Sequence, residues 1–125
     1  MLELALNYGG GPVQIANIAG SQKVPIRFLE QLLLVLKRNG LVTSNRGRQG
    51  GYSLAKSPGS ISLLDAVESL EGPIELAGRK MKKLPVLFEA FEKIEEGLKK
   101  GLAGKTLDDL VFSKRQKDRA YTYSI

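Results

Sequence analysis

Residues 25–54 read PIRFLEQLLLVLKRNGLVTSNRGRQGGYSL, and two kinds of secondary structure follow each other within this stretch. Up to Asn39, apolar side chains recur every three or four residues, which predicts a helix that begins with Pro25 and stops before Gly40. The face predicted to enter the core comprises Phe28, Leu29, Leu32, Leu33, Val35 and Leu36. The polar side chains opposite are Arg27, Glu30 and Gln31 in the opening turns, then Lys37 and Arg38.

After Gly40, two short strand-like runs at 41–44 and 52–55 enclose the segment NRGRQGG. Strand-forming residues on both sides of a glycine-rich segment predict a β-hairpin, and the glycines allow the positive φ angles of a tight turn. Arg46 and Arg48 give this hairpin a basic tip. Such a tip can reach a minor groove or the flanking phosphates, and the alternative is a connecting hairpin with two solvated arginines.

A shorter helix is predicted over 13–22, with Ile15, Ile18 and Ala19 along one face and a tight turn at 21–24. Helix, turn and second helix make the helix-turn-helix motif, in which the second helix offers its early side chains to the major groove. A basic hairpin directly behind this motif is the wing of a winged helix-turn-helix. The residues therefore predict a DNA-binding surface made by the second helix and the wing.

Further helices are predicted on both sides of this unit. Residues 2–8 have the pattern of the tail of an amphipathic helix, and a helix over 61–70 has Ser62 as N-cap with Asp65 three residues later. Beyond a basic connector that runs to Lys83, a long helix carries an apolar stripe of Leu84, Leu87, Phe88, Phe91, Ile94 and Leu98. A second copy of the chain is the simplest partner for this dimerisation stripe, and packing within the chain is the alternative.

The pattern Thr106–Asp109 predicts a capping box that opens a short terminal helix, whose apolar side chains are Leu107, Leu110, Val111 and Phe112. The predicted fold class is mainly α with a small β-hairpin: a winged helix-turn-helix plus a long C-terminal dimerisation helix. Two regions are predicted, a DNA-binding domain at 1–72 and, at 73–125, the connector, the dimerisation helix and the C-terminal tail.

Composition narrows the classes of function. The 125 residues include neither cysteine nor histidine, which removes disulfides, thiolate nucleophiles, zinc sites, thiolate-bound iron–sulfur clusters and imidazole catalysis. Residues 1–60 hold seven Lys and Arg against two acidic residues, whereas 61–125 hold twelve against eleven. The basic first half favours a polyanionic partner. We expect a DNA-binding protein without enzymatic activity, metal or cofactor, and the alternative is a winged-helix module that binds proteins.

The beginning of the chain bears on its location. It lacks the basic lead and the cleavage site of a secretory signal, and no apolar run approaches the roughly 18 residues of a membrane span. The expectation is a cytoplasmic protein that does not contact a membrane.

Three strings together resemble the IscR/CymR (Rrf-two) family of winged-helix transcription regulators: FLEQL at 28–32, LKRNGLV at 36–42 and RGRQGGYSL at 46–54. The resemblance continues through Ile61, Leu64–Asp65 and Glu71–Gly72, and so covers most of the chain. It implies that Arg27, Glu30 and Gln31 face the major groove and that Arg46 enters the minor groove. The residues that it implies to face phosphates are Lys37, Arg38 and Arg48. A homodimer of this family binds a roughly palindromic site.

Two features depart from the family pattern. Iron–sulfur members carry cysteines in the connector that corresponds to 71–84, and this chain has none, so it resembles the cysteine-free, CymR-like branch. Family members also usually begin with a basic stretch ahead of the point where this sequence starts.

The cysteine-free branch includes regulators of cysteine metabolism whose sensor is a protein complex, and the chain resembles it through TLDDL at 106–110 and its isoleucine-terminated tail. The resemblance implies that Tyr123, Ser124 and Ile125 bind O-acetylserine sulfhydrylase, which accepts C-terminal peptides ending in isoleucine. A free carboxylate with one apolar anchor is a known recognition mode. The alternative is a terminus without function.

The predicted function of the chain is that of a repressor. Its predicted partners are DNA, a second copy of the chain and, through the C-terminus, O-acetylserine sulfhydrylase.

Overall fold

A computed structural model describes residues 1–124, without the side chains of Tyr123 and Ser124. The helices are α1 (Leu2–Leu6), α2 (Ile15–Gln22), α3 (Ile26–Arg38), α4 (Leu63–Glu71), α5 (Pro85–Ala103) and α6 (Leu107–Ser124). Strands β1 (Val42–Asn45) and β2 (Gly51–Leu54) form an antiparallel pair. Short 3₁₀ turns lie at Pro58–Ser60 and Arg79–Lys83. The predicted class, mainly α with a small hairpin, is confirmed.

A residue in the left-handed conformation makes the turn between α2 and α3. Lys23 has φ 53° and ψ 45°, and the N–H of Val24 donates to the carbonyl oxygen of Ala19 over 3.1 Å. Pro25 is the N-cap of α3, not its first helical residue as predicted. The reason is its extended ψ of 138°, so the first residue with helical geometry is Ile26.

Three leucines of α3, Leu29, Leu33 and Leu36, form the centre of the core. Leu32 and Val35 are half-buried beside them. The prediction that Phe28 also enters the core was wrong, since this side chain is 53% exposed. The three buried leucines set the direction of the core, and the helical period of 3.6 residues leaves position 28 on the flank of the helix.

The core joins distant parts of the chain. Leu4 of α1 and Leu107 and Val111 of α6 lie in the same apolar cluster as the leucines of α3. The N–H of Leu107 donates to the carbonyl oxygen of the fully buried Ile61 over 2.9 Å. The first turns of α6 therefore pack with the helix-turn-helix unit, and the division of the chain at residue 72 stays a prediction.

Reciprocal capping boxes begin α4 and α6, as predicted. In α4, Ser62 and Asp65 exchange two hydrogen bonds of 3.0 Å between side chain and backbone. In α6, the N–H of Thr106 donates to the Asp109 carboxylate over 2.9 Å, and the N–H of Asp109 donates to the Thr106 hydroxyl over 3.2 Å. The backbone bond from Thr106 lowers the pKa of Asp109, so this carboxylate remains charged at neutral pH.

The terminal helix is longer than predicted, since α6 continues through Ser124. Phe112, which the sequence placed on its apolar face, is 64% exposed. Only the first turns of α6 touch the core, because Leu107 and Val111 are followed by polar residues. In the part of the chain that the structure describes, no helix has both the length and the apolar character needed to span a bilayer.

Candidate nucleic-acid interface

The outer face of α3 is polar and accessible. Arg27, Glu30 and Gln31 are exposed in its first turns, while the buried leucines lie on the opposite side. Arg38 is exposed in the last turn. Lys37 is also exposed, so the structure places all five predicted contact residues of this helix where a large ligand can reach them.

A lysine connects α3 to the wing. Lys37 donates to the hydroxyl oxygen of Ser44 on β1 over 2.7 Å, and both side chains are exposed. The resemblance placed Lys37 opposite a phosphate. An ammonium group has three N–H donors, so the bond to Ser44 leaves two of them available for an anion.

The wing is a narrow hairpin with a basic tip. Four residue pairs join its strands, from Val42 opposite Leu54 to Asn45 opposite Gly51. Arg46 and Arg48 lie in the loop between the strands and are exposed. The predicted hairpin is therefore confirmed, and its two arginines project from the end farthest from the core.

The two residues directly before α2, Val13 and Gln14, bind the wing to the helix-turn-helix. Val13 and Tyr52 exchange two backbone hydrogen bonds of 2.8 Å, so Val13 pairs with β2 like a one-residue third strand. The side-chain amide of Gln14 donates to the carbonyl oxygen of Arg48 over 3.2 Å. Neither contact follows from the sequence, because each joins segments far apart in the chain.

Gly51 makes this close approach possible, and Gly50 allows the tight loop of the wing. A Cβ atom on Gly51 would overlap the Val13 carbonyl oxygen and lie 2.9 Å from the Gln14 nitrogen, and the φ of Gly51 is 148°. A Cβ on Gly50 would overlap the carbonyl oxygen of Asn45. Gly51 is thus the sequence signal that another backbone passes next to β2, whereas Gly50 is required by the wing's own loop.

Electrostatics favour an anion at this surface. Within residues 1–124, the ion pairs join Lys93 to Glu89, Lys99 to Glu95 and Lys114 to Asp118, all inside α5 or α6. The cationic side chains of α3 and the wing have no such carboxylate partner in the described part of the chain. They are Arg27, Lys37, Arg38, Arg46 and Arg48. A polyanion would supply the missing counter-charges.

The predicted dimerisation stripe lies on α5 and divides into two sets. Phe88 and Phe91 are half-buried, and α4 packs against α5. The exposed fractions of the other four are 55% for Leu84, 43% for Leu87, 60% for Ile94 and 43% for Leu98. One chain therefore leaves much of the stripe in contact with water.

The connector is attached to the same helix. The N–H of Leu76 donates to the carboxylate of Glu95 over 2.7 Å, and Lys99 lies 3.7 Å from that carboxylate. The connector is thereby held along α5. At the end of the chain, the predicted partner-binding residues Tyr123, Ser124 and Ile125 lie outside the residues whose side chains the structure describes.

A helix-turn-helix followed by a hairpin that is tied to it defines a winged helix-turn-helix protein, the class that the sequence predicted. The model of the Rrf2 family, described as "Iron-dependent Transcriptional regulator", matches residues 1–113. The chain belongs to this family. It is a transcription regulator of the DNA-binding, helix-turn-helix type and not an enzyme.

Two relatives indicate how far the likeness extends. The HTH-type transcriptional regulator CymR of Bacillus subtilis is 35% identical over 125 residues, 100% of this chain and 91% of the relative. Its solved structure matches with a TM-score of 0.73 at 34% identity, over 90% of this chain and 87% of that chain. The HTH-type transcriptional regulator IscR of Citrobacter koseri is 41% identical over 75 residues, 60% of this chain and 46% of the relative.

The family description mentions iron, but this chain lacks the side chains that usually bind iron in proteins. The sequence contains no cysteine and no histidine, so neither thiolate nor imidazole ligands exist. Among the described residues, no three acidic side chains come together as a group able to hold a metal ion. The residues present therefore do not fit an iron ion or an iron–sulfur cluster.

The contact between the wing and Val13 leads to a prediction about stability. Gly51→Ala places a methyl group against the Val13 carbonyl and requires an unfavourable φ, so it should lower the free energy of unfolding by more than about 1 kcal/mol. Urea titration followed by circular dichroism measures this. The matched control is Gly78→Ala, because a Cβ there meets no atom within 4 Å. Equal stability of the two variants would contradict the described contact.

Proposed function

We propose that this chain is a sequence-specific repressor that binds a pseudo-palindromic DNA operator as a homodimer. The observation that carries the proposal is a polar helix face and a basic wing joined into one unit by the Lys37–Ser44 bond and the Val13–Tyr52 pairing. In such a unit a helix can enter the major groove while the wing reaches the neighbouring groove.

The first turns of α3 carry side chains suited to reading base edges. Arg27 matches the O6 and N7 atoms of guanine, Gln31 matches the N6 and N7 atoms of adenine, and Glu30 accepts from the N4 amino group of cytosine. Each well-formed bidentate pair contributes about 1–3 kcal/mol of discrimination. These three residues are the proposed direct readers of sequence.

The remaining cationic residues have a different part in the proposal. Arg46, at the tip of the wing, enters the minor groove, where a guanidinium is attracted by the negative potential of narrow A·T-rich segments. Lys37, Arg38 and Arg48 bind phosphates, which adds affinity without sequence information. Because phosphate contacts release counter-ions, binding must weaken as salt increases.

The exposed apolar stripe of α5 supports the homodimer. Leu84, Leu87, Phe91, Ile94 and Leu98 follow each other at alternating steps of three and four residues, the spacing of a two-helix seam. A second α5 packed on this stripe would remove the exposed leucine and isoleucine side chains from water. Two-fold symmetry of the dimer would then require two half-sites about one helical turn apart.

Regulation of cysteine or sulfur metabolism is the proposed biological setting. It is supported by the match over the whole chain to B. subtilis CymR, whose structure is described as that of the global cysteine regulator of that organism. In this proposal the protein acts in the cytoplasm, and O-acetylserine sulfhydrylase binds its C-terminal peptide, Tyr123–Ile125. The enzyme thereby controls DNA binding.

The first prediction concerns DNA selectivity. Selection from a random duplex library should yield a pseudo-palindrome, and affinity for it should fall steeply as salt rises. Arg46→Ala should lose the preference at the positions next to the minor groove and reduce the salt slope by about two, since one cationic contact is removed from each protomer of the dimer. Electrophoretic mobility shift or fluorescence anisotropy at several salt concentrations measures both effects.

The matched control for Arg46→Ala is Arg79→Ala, which removes the same exposed side chain from the connector. Its selectivity and salt slope should equal those of the wild type. Binding by the wild type without sequence preference, and unchanged in Arg46→Ala, would contradict the proposal and favour a winged-helix module that binds proteins.

The second prediction concerns the dimer. Ile94→Lys introduces a charge into the centre of the stripe, and because Ile94 is 60% exposed in a single chain, the fold should persist while the dimer dissociates. Analytical ultracentrifugation measures the mass, and circular dichroism measures the fold. Glu89→Lys is the control, because it places the same lysine on another side of α5. A dimeric Ile94→Lys variant would exclude the stripe as the interface.

The third prediction concerns the C-terminus. Deletion of Ile125 should abolish binding to purified O-acetylserine sulfhydrylase, because it removes the apolar anchor and moves the terminal carboxylate. Isothermal titration calorimetry measures this binding, and DNA affinity in the absence of the enzyme should be unchanged. Thr122→Ala, an exposed position three residues earlier in the sequence, serves as control. Undiminished binding after the deletion would remove this enzyme from the proposal.

A further inference from the structure

A large aromatic side chain is exposed among the proposed base-reading residues. Phe28 is the third residue of α3 and is 53% exposed, whereas the adjacent Leu29 is 8% exposed. The helical period places Phe28 on the flank of α3, between the buried leucines and the polar face. Its exposed ring is accessible to a ligand that approaches the polar face.

The position of Phe28 relates it to the polar face of the helix. It directly follows Arg27, and it precedes Gln31 by three residues, so the side chains at 28 and 31 are neighbours on the helix surface. In a helix-turn-helix the N-terminal residues of the second helix contact base edges. A helix that brings Arg27 and Gln31 to the bases also brings the ring of Phe28 into the same groove.

The chemistry of the ring limits what it can contact there. Phenylalanine has no hydrogen-bond donor or acceptor, so it cannot bind a phosphate or a polar base atom. The major groove has one apolar group on its base edges, the C5-methyl group of thymine. We propose that Phe28 is a specificity-determining residue that packs against a thymine methyl in each half-site, an inference that rests on the proposed DNA-binding function.

The test removes the methyl group alone. Each thymine of the operator selected from the random library is replaced in turn by deoxyuridine, and affinities are measured at one fixed salt concentration. For the wild type, one replacement per half-site should weaken binding about fourfold, the factor that corresponds to roughly 0.8 kcal/mol for one methyl-sized apolar group. Phe28→Ala should bind the thymine and deoxyuridine duplexes with equal affinity.

Two further variants make the test specific. Phe112→Ala removes another exposed phenylalanine ring, 64% exposed on α6 and away from α3, and should keep the fourfold preference. Phe28→Leu retains an apolar side chain and should keep a preference for thymine. It also keeps the test valid if Phe28→Ala is too unstable to use.

Each contrary result has a distinct meaning. A wild-type protein that binds its operator selectively but shows no deoxyuridine penalty overturns the role of Phe28 and leaves the proposed function intact. A penalty that persists in Phe28→Ala or disappears in Phe112→Ala shows that the loss does not come from a Phe28 contact and also overturns it. Absence of any selective DNA binding by the wild type overturns the inference together with the proposed function.

Discussion

The two backbone hydrogen bonds between Val13 and Tyr52 determine how the candidate surface is arranged. They join the residue just before α2 to the second strand of the wing, so the helix-turn-helix and the hairpin cannot move independently. Backbone bonds at 2.8 Å demand a close approach, and Gly51 is the residue that allows it. Together with the Lys37–Ser44 bond, this pairing fixes the position of the wing's arginines relative to the outer face of α3.

The winged unit and α5 differ in how many of their apolar residues are buried. The thirteen buried hydrophobic residues come from α1, α2, α3, both sides of the hairpin, the segment before α4, and the start of α6. None of them belongs to α5, although α5 is the longest helix described. The buried core of the described residues therefore belongs to the winged unit and the first turns of α6, whereas the apolar side chains of α5 either face α4 or are exposed to water.

Local and periodic features could be predicted from the sequence, whereas features that depend on tertiary packing could not. The buried leucines of α3 and the Thr106 cap follow from spacing and from capping chemistry, so they were predicted correctly.

Phe28 was wrongly assigned to the core because it lies next to the core leucines in the helical pattern. The sequence does not show where the buried face of a helix ends, and only the packed structure does. The length of α6 was missed because its polar second half has no apolar period. The exposure of the predicted base-reading residues follows from the helix period, but their relation to the wing does not.

The hydrogen bond between Leu107 and Ile61 has a consequence for how such proteins diversify. The chain leaves the compact unit at Ile61, passes through α4, the connector and α5, and returns to the same place at Leu107. An excursion whose two ends are adjacent can change in length or content without disturbing the unit that it leaves, as in tolerated domain insertions. Related proteins can therefore differ in the connector and in α5 while the winged unit keeps its structure.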